Sequence, residues 1–380
     1  MTEKIKIGVD IRDLRISKTG ARTYLEEICR EFSKEDTGFE FVFFDTEIPV
    51  YNGRNKLLKL TEHLRFFFWK QCRLPFKAML QNCDIVFCTD YFVPYFHPGF
   101  ITIPVFHDAF FWEYPRHYNK YWLYLFHVFG IGAAKRSPFI ITPTKYTQKR
   151  IAQFSGLPEE KILPVYEAAK PLSVRTGHNH ILNSEMEAKL SFPYILHVGT
   201  FEKRKNLGIL ITAFEELLQN GHPDLKLILI GQASPKKDID DSIQLLQHIN
   251  NNHLQEKVIM PGYVSDELLH YYYKYALLYV FPSRNEGFGI PVLEAFAYRL
   301  PVLIANNSCL PEIAGDAAIS FDPDDAKELS GKINELLTNK NLRQQLIEKA
   351  TQRLQFFSWG KTSEELKNIF RAAFQIKHSK

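Results

Sequence analysis

The sequence predicts an α/β protein with two doubly wound domains, each built on a parallel sheet. The chain has 380 residues, which is comfortable for two domains of about 150–200 residues each. Short apolar runs alternate with amphipathic segments in the first half, and after a polar segment at 171–190 the alternation starts again. This order is typical of parallel sheets covered by helices. We therefore expect a first domain over residues 1–180, a second over 190–357, and a C-terminal helix at 358–380 that packs back on the first.

The individual elements follow from their apolar periodicity. Buried strands are short apolar runs bounded by turn residues, whereas helices repeat apolar residues every three or four positions. In the first half the predicted strands are KIKIGVDI, FEFVFF, CDIVFC, ITIPVFH and FIITP, and the predicted helices are TYLEEICREF and NKYWLYLFHVFGIGAAKR. In the second half the predicted strands are YILHVGT, LKLILIG, KVIMPG, LLYVFPS, PVLIAN and AAISFDP. The helices that accompany them are NLGILITAFEELLQN, SIQLLQHINN, DELLHYYYKY, IPVLEAFAYR, ELSGKINELLTN, NLRQQLIEKATQRLQFF and SWGKTSEELKNIFRAAF.

The composition predicts a protein of the cytoplasm. Apolar residues make up 45% and charged residues 24% of the chain, which is ordinary for a globular protein. No run of apolar residues is long enough to indicate a transmembrane helix, and the start of the chain lacks the cleavage site of a signal peptide. The cysteines are scattered, form no CxxC pair and are interpreted as reduced thiols rather than as disulfides or zinc ligands. They are Cys29, Cys72, Cys83, Cys88 and Cys309.

Basic residues are concentrated in the first half. Residues 1–180 carry 25 Lys and Arg against 19 Asp and Glu, whereas the remainder carries 22 against 24. Between residues 65 and 77 the basic residues alternate with aromatic ones, a pattern that suits peripheral contact with an anionic membrane surface. The alternative is an amphipathic helix whose aromatic face lies in the core. No recognised motif indicates binding of nucleic acid.

The strongest motif runs from Pro282 to Ala295 and links a predicted strand to a predicted helix. Gly287 and Gly289 allow a ligand to approach the backbone closely. The amide groups around Phe288 and Ile290 then lie at the positive end of a helix dipole, which favours a phosphate. The carboxylates of Glu286 and Glu294 flank this segment and are good acceptors for vicinal hydroxyl groups. The motif therefore predicts a site for a sugar nucleotide.

This segment resembles the Glu-x7-Glu motif of the family-four retaining glycosyltransferases, which have the GT-B fold. Three further stretches are similar to that family: His197–Leu207, Pro261–Glu267 and Leu310–Gly315. The resemblance covers most of the chain and is nearest in pattern to bacterial mannosyl- and rhamnosyltransferases of surface-polysaccharide assembly. It implies two Rossmann-like domains that face each other across a cleft, with the sugar donor in the second.

The resemblance also implies which residues bind the donor. A basic pair would contact the diphosphate, and because Thr200 stands where many relatives carry Arg, we assign this role first to Lys205 and then to Arg204. Val264 would lie near the nucleotide base. The expected donor-binding residues are Gly20, Arg204, Lys205, Val264, Glu286, Gly287, Phe288, Gly289, Ile290 and Glu294.

The first half contributes two further features that resemble the family. Gly20 lies in a loop after the first strand that would face the diphosphate, and Arg22 next to it is an expected acceptor contact. His107 ends the strand ITIPVF, where the family has a histidine near the reacting sugar. Asp108 would orient the imidazole ring or bind the acceptor. The expected catalytic residues are His107, Glu286 and Lys205.

The reaction implied is transfer of a hexose from a nucleoside-diphosphate sugar to the hydroxyl group of a glycan or lipid-linked acceptor, with the anomeric configuration kept. No Asp-x-Asp motif is present, so we expect a metal-independent enzyme without a cofactor. GDP-mannose is the first hypothesis for the donor, and UDP- and dTDP-sugars remain open. Two alternatives are a nucleotide-sugar-binding protein without catalysis and a GT-B epimerase. Oligomeric state and linkage do not follow from the sequence.

Overall fold

The computed structural model describes residues 4–16, 20–51, 53, 55–171 and 179–379. The chain divides into two compact units. One, here unit 1, comprises Met1–Glu167 with Ser358–Lys380, and the other, unit 2, comprises Ala168–Phe357. The boundary falls earlier than the polar segment at 171–190 because Lys170 already pairs with Asp266 of unit 2, with Nζ and Oδ2 2.7 Å apart. Residues 172–178 of that segment lie outside the described residues.

Unit 1 is built on parallel strands. They are β1 (Ile5–Asp10), β2 (Phe39–Phe44), β3 (Ile85–Cys88), β4 (Ile101–Pro104), β5 (Ile140–Thr142) and β6 (Ile162–Pro164). The first four pair in the order β2-β1-β3-β4, and β5 pairs with β6. A parallel bridge between Val105 and Ile141 joins β4 to β5. The short strand β6, which is the one the sequence pattern missed, therefore continues the same sheet.

Unit 2 has a second parallel sheet. Its strands are β7 (Tyr194–Val198), β8 (Lys226–Ile230), β9 (Val258–Gly262), β10 (Leu278–Phe281), β11 (Val302–Ala305) and β12 (Ile319–Phe321). All six predicted strands are present, in the order β12-β11-β10-β7-β8-β9. Renumbered within the unit this is the Rossmann order 3-2-1-4-5-6, read in reverse. The order reverses between β7 and β10, so a ligand is expected at the carboxyl ends of these two strands.

Helices connect and cover the strands. In unit 1 they are α1 (Gly20–Phe32), α2 (Lys56–Phe68), α3 (Leu74–Leu80), α4 (Phe110–Glu113), α5 (Lys120–Leu125), α6 (Gly132–Ala134), α7 (Lys145–Ser155) and α16 (Trp359–His378). In unit 2 they are α8 (Asn179–Lys189), α9 (Leu207–Gln219), α10 (Ser242–Asn251), α11 (Asp266–Tyr275), α12 (Ile290–Ala297), α13 (Leu310–Ala314), α14 (Ala326–Thr338) and α15 (Lys340–Leu354). Helix α16 packs against α1, so the C-terminal helix belongs to unit 1.

The basic–aromatic stretch forms one long helical segment. A π-helical turn, Trp69–Arg73, joins α2 to α3. Trp69 is 2% exposed, and its indole nitrogen donates to the carboxylate of Asp10 at 3.1 Å. Phe67 packs against the aromatic core formed by Phe92 and Trp122. These two aromatic residues of the stretch therefore face the core. Within the part of the chain that the structure describes, no helix is long and apolar enough to span a bilayer.

Candidate functional site

The loops after β7 and β10 lie side by side because these strands are parallel neighbours at the centre of the sheet, with Leu278 opposite Ile195. The backbone amide of Arg284 donates to the carbonyl oxygen of Arg204 at 2.7 Å. The guanidinium group of Arg204 in turn donates to the carbonyl oxygen of Asn285 at 3.0 Å. The strand order thus brings two segments of sequence, about eighty residues apart, into one cluster.

A buried ion-pair network lies in this cluster. The Nζ atom of Lys205 is 2.5 Å from Oε1 of Glu286, and Nη1 of Arg204 is 3.0 Å from Oε2 of the same carboxylate. The hydroxyl group of Ser283 also donates to Oε1, at 2.6 Å. Lys205 and Glu286 are both buried. A carboxylate has about four acceptor positions, so the three donors leave Glu286 about one position for a ligand.

The protonation states within the network follow from its geometry. Burial raises the pKa of Glu286, but the charges of Arg204 and Lys205 outweigh this effect and lower it to about 2. Burial also lowers the pKa of Lys205, although Glu286 opposes the shift. Glu286 is therefore an anion at neutral pH, which can accept hydrogen bonds but cannot donate them.

The segment after Glu286 forms the N-terminus of α12. Gly289 precedes the helix with a φ of 98°, a left-handed conformation that glycine adopts without strain. Pro291 occupies the first turn, where a missing amide hydrogen is harmless. The buried thiol of Cys309 lies 3.2 Å from the carbonyl oxygens of both Glu286 and Phe288. The loop is thus held from its carbonyl side, and the positive end of α12 lies directly after it.

Glu294 lies in a different environment, on α12 itself. It is buried, and Oε2 accepts a hydrogen bond from the hydroxyl group of Tyr273 on α11 at 2.9 Å. Burial raises the pKa of Glu294 to about 7, and the hydrogen bond from Tyr273 and the charge of Lys170 lower it less than burial raises it. At neutral pH this carboxyl group is close to half-protonated.

Two further features of unit 2 follow strands β8 and β9. Val264 is half-buried and precedes Ser265, which caps α11 by accepting from the amide of Leu268. Gly231, which follows β8, has a φ of 156°, and a side chain there would collide with the carbonyl oxygen of Gly199. The loop after β7 therefore packs against a glycine that the sequence alone does not single out.

Unit 1 brings other expected residues together around His107. Gly20 is the first residue of α1, and the loop residues before it, 17–19, lie outside the described residues. Tyr24, one turn along α1, meets the His107 ring edge-on, with 5.1 Å between ring centroids. Arg22 is exposed and pairs with Glu26, with Nε and Oε1 2.7 Å apart. Gly20 and His107 are thus linked through one helix, whereas Arg22 lies on its outer side.

His107 is held by acceptors at both ring nitrogens. Nε2 is 3.0 Å from the carbonyl oxygen of Thr89, and Nδ1 is 3.4 Å from a carboxylate oxygen of Glu167. Burial would lower the pKa of His107, but the hydrogen bond and charge of Glu167 outweigh it and raise the pKa. Both neighbours are hydrogen-bond acceptors, so the imidazolium form, which has a hydrogen on each ring nitrogen, fits best. The ring is thereby suited to holding charge and position rather than to exchanging a proton with a substrate.

Asp108 has other partners. Its carboxylate accepts from the hydroxyl group of Tyr91 at 2.7 Å and from the backbone amide of Phe110 at 2.9 Å. The carboxylate that the structure places at the His107 ring is that of Glu167, which sequence reasoning missed. A signal was present, because Glu167 follows β6 in the same way that His107 follows β4.

Sequence reasoning also missed Ser283, Tyr273 and Cys309. Ser283 stands three residues before Glu286, a spacing that could have suggested a contact. The other two reach the site from α11 and from the loop before α13, and no local pattern indicates their contacts. Among the described residues, no group of three or more His, Cys, Asp or Glu side chains is placed to hold a metal ion. The expected independence from metal stays a prediction.

The chain is similar in sequence to known glycosyltransferases. Residues 183–353 match the family described as "Glycosyl transferases group 1". Over 233 residues, 61% of this chain, the sequence is 28% identical to O-antigen chain mannosyltransferase B of Escherichia coli, and the match covers 60% of that protein. The chain thus spans less than two thirds of the length of this curated relative.

Solved structures resemble the whole chain. Sucrose-phosphate synthase from Thermosynechococcus elongatus aligns with a TM-score of 0.75 at 16% identity, over 98% of this chain and 100% of that one. HepE from Anabaena in complex with UDP aligns with a TM-score of 0.69 at 17% identity, over 97% and 100%. At these identities the likeness concerns the fold. The predicted fold class, GT-B with two Rossmann-like domains, is confirmed.

Proposed function

We propose that this chain, whose residues 183–353 form a group 1 glycosyltransferase domain, transfers a hexose from a nucleoside-diphosphate sugar to a glycan or lipid-linked acceptor in surface-polysaccharide synthesis. One observation carries the proposal. Two cations, Arg204 and Lys205, and one ionised carboxylate, Glu286, meet at the point where the strand order of unit 2 reverses. Open α/β sheets bind ligands at this point.

The network offers different groups to the two chemical parts of the donor, the diphosphate and the sugar. A diphosphate brings negative charge, so it belongs next to Lys205, Arg204 and the amides of Gly287–Ile290 at the start of α12. A sugar brings hydroxyl groups, which the anionic Glu286 accepts. Glu294 is the acceptor we assign to the ribose hydroxyls, and Val264 lies in the loop we assign to the base. The assignments of Lys205, Arg204 and Glu286 follow from charge, and that of Val264 follows from the resemblance of its loop to the family.

The chemical step needs charge stabilisation more than it needs a nucleophile. As the glycosidic bond breaks, negative charge develops on the departing nucleoside diphosphate, and preorganised cations stabilise it. Lys205 and Arg204 supply this charge, which supports a metal-independent reaction. We further propose that the configuration at the anomeric carbon is retained. In unit 1, the proposed role of His107 is to position the reacting sugar in its protonated form, which Glu167 favours. Gly20 is the proposed contact for the donor phosphate, and Arg22 and Asp108 are the proposed contacts for the acceptor.

Mannose is the proposed sugar and GDP-mannose the proposed donor. The support is the likeness to O-antigen chain mannosyltransferase B. The complex of HepE with UDP keeps UDP-sugars as the competing hypothesis. The acceptor would be a growing polysaccharide at the cytoplasmic side of the membrane.

A thermal-shift screen against GDP, UDP, dTDP and their sugars tests the donor site. A ligand at a hundredfold excess over its dissociation constant stabilises the fold by about 2.7 kcal/mol. We expect the shift with GDP ligands and its loss in Lys205→Ala. The matched control is Lys203→Ala, which removes the same charge from an exposed side chain in the same turn. A shift that Lys203→Ala abolishes equally would contradict the assigned site.

Release of free nucleotide, measured with and without mannosylated acceptors, tests the reaction. We expect release that depends on the acceptor and a product whose α-anomeric proton signal shows retention. Binding of the nucleotide without turnover would favour the non-catalytic alternative, and conversion of the nucleotide sugar without an acceptor would favour an epimerase.

A further inference from the structure

Helix α2 exposes a row of large apolar side chains. The residues recur at helical spacing and are Leu57, Leu60, Leu64 and Phe68, which are 74%, 57%, 63% and 58% exposed. Steps of three and four residues place them on one face of the helix. Single exposed apolar residues are ordinary, but a continuous row on one helix face marks a docking surface. We call these four residues the α2 ridge.

Neighbouring helices extend the apolar surface. After the π-helical turn, α3 exposes Phe76, Met79 and Leu80, again at helical spacing. Helix α5, which exposes Tyr121 and Tyr124, packs on α2 through Trp122. The ring of Trp122 lies 5.3 Å from His63 and 5.9 Å from Phe67. Helices α2, α3 and α5 thus carry many of the large exposed apolar residues of unit 1.

A basic groove adjoins the ridge. Phe68 of the ridge lines it together with Arg65 and Arg73, and the apolar segment Ile48–Val50 also lines it. Arg12 lies at its base, where its guanidinium group is 2.6 Å from Glu62. Glu62 thus meets the charge of Arg12, and its other oxygen is 3.7 Å from Arg65. Arg65 and Arg73 give this groove a positive edge.

The charge of the whole unit identifies the occupant. Unit 1 carries 28 Lys and Arg against 21 Asp and Glu, a net charge of +7, whereas unit 2 carries 19 against 22, a net charge of −3. An apolar ridge with a positive groove beside it complements a surface that has an apolar interior and anionic phosphates. A second copy of unit 1 would bring positive charge against positive charge.

We propose that the α2 ridge inserts into the interface of an anionic lipid bilayer, and that Arg65 and Arg73 bind lipid phosphates in the adjoining groove. The anchor differs from the basic–aromatic stretch at 65–77 that the sequence pattern suggests, because Phe67 and Trp69 of that stretch face the core and the ridge lies mostly before it. The inference rests on the surface of unit 1 alone. Its test requires no nucleotide sugar, so it fails or succeeds separately from the proposed reaction.

Co-sedimentation with vesicles tests the ridge. We expect the full chain to bind vesicles that contain phosphatidylglycerol and not those of phosphatidylcholine alone, and to bind less as salt rises. The variant Leu60→Gln/Leu64→Gln should weaken binding at least roughly tenfold, because each leucine loses favourable apolar burial. The matched control, Ile243→Gln/Leu246→Gln, replaces two comparably exposed residues of unit 2 and should bind as wild type does. Equal loss in both variants would overturn the proposal.

The groove has its own charge control. Arg65→Gln/Arg73→Gln should weaken binding roughly thirtyfold and flatten its salt dependence, since both basic residues attract the anionic surface. Lys327→Gln/Lys340→Gln removes the same charge from exposed positions of unit 2 and should have little effect. Binding of free phosphate to the protein, together with no binding to vesicles, would assign the groove to a soluble anion and overturn the lipid proposal.

Hydrogen exchange on wild-type protein keeps the proposal testable if a variant fails to fold. We expect vesicles of phosphatidylglycerol to protect residues 56–80 and 120–125 and to leave α10 unchanged. Protection without vesicles that grows with protein concentration would show that a second copy covers the ridge, which would overturn the proposal.

Discussion

Glu286 and Glu294 are eight residues apart and both buried, yet their surroundings move their acidities in opposite directions. Around Glu286 the neighbours are two cations and a hydroxyl group, and its pKa falls to about 2. Around Glu294 the nearest partner is the phenol of Tyr273, and its pKa rises to about 7. Burial acts on both in the same sense, so the cations make the difference.

The comparison separates two tasks within one motif. A carboxylate that is always ionised can offset the charge of Lys205 until a diphosphate arrives, and it can hold a sugar hydroxyl at any physiological pH. A carboxyl group that is half-protonated near pH 7 binds hydroxyl groups in a pH-dependent manner. Environments that shift the pKa values of two carboxyl groups in opposite directions indicate that the two groups have different roles.

Removal of Lys205 should have the largest effect on activity, because Lys205 is one of the two cations that pair with Glu286. We expect Lys205→Ala to lower turnover roughly 10²–10³-fold, the loss typical for one preorganised charge-stabilising group. It should also raise the pKa of Glu286 toward that of Glu294. Steady-state rates of nucleotide release measure the first effect. Lys203→Ala should keep wild-type rates, and a comparable loss in that variant would show that the turn as a whole matters rather than the Lys205 charge.

Neutralising Glu286 should destabilise the fold next most strongly. Glu286→Gln leaves two cations next to a neutral group in a buried site, and breaking a buried pair from one side costs about 3–5 kcal/mol. Urea unfolding measures this loss. The double variant Lys205→Met/Glu286→Gln should recover much of the stability without recovering activity, because the charge at the site is then closer to balanced. A double variant as unstable as the single one would show that the network is held by shape rather than by charge.

Neutralising Glu294 should have the opposite effect on stability. Its folded pKa lies above its ordinary value of 4.5, so the unfolded chain ionises first, and stability falls as pH rises from about 4.5 to about 7. Glu294→Gln removes this penalty and should stabilise the ligand-free protein by on the order of 2 kcal/mol at pH 8, with little change near pH 4.5. Unfolding at the two pH values measures the effect, with Glu286→Gln as the contrasting variant.

The same variant should bind the donor more weakly, and wild-type affinity should rise with pH through about 7 as Glu294 ionises. Titration of the nucleotide at pH 6 and pH 8 measures this dependence. Stability gained equally at both extremes of pH would mean that Glu294 does not titrate in the folded protein, and the contrast between the two carboxyl groups would then be lost.

Much of the fold could be predicted from the sequence because a buried parallel strand can be recognised from a short apolar segment alone. The strands of unit 2 are mainly apolar runs bounded by turn residues, although β7 contains His197 and β12 contains Ser320. Strand β6, Ile162–Pro164, was missed because its apolar run meets a proline at Pro164, and proline is rare within strands. The orientation of the basic–aromatic helix was also left open. The apolar periodicity identifies the two faces of this helix but does not determine which face packs against the core. The π-helical turn at Trp69–Arg73 also changes the helical spacing partway along the segment.

The candidate site was predictable where its residues are close in sequence. The segment Glu286–Ile290 and the pair Arg204–Lys205 each stand out in a strand–loop–helix context. Their contact with each other follows from strand order, which no local pattern determines. The opposite pKa shifts of Glu286 and Glu294 were not predictable, because they depend on the depth of burial and on the contact of Glu286 with Arg204 and Lys205. The same holds for His107, whose charge depends on Glu167, sixty residues away.

Cys309 offers the smallest and most specific test of the Glu286 side. Its thiol lies within 3.2 Å of two carbonyl oxygens of the loop. Cys309→Ala should therefore lower the free energy of unfolding by about 1 kcal/mol and raise the KM for the donor a few-fold. Cys309→Ser should restore the contact. The matched control is Cys83→Ala, which deletes an equally buried thiol in unit 1. We expect it to alter stability without altering KM. If both alanine variants change KM alike, loop position does not depend on this thiol, and the ion-pair network alone holds Glu286 in place.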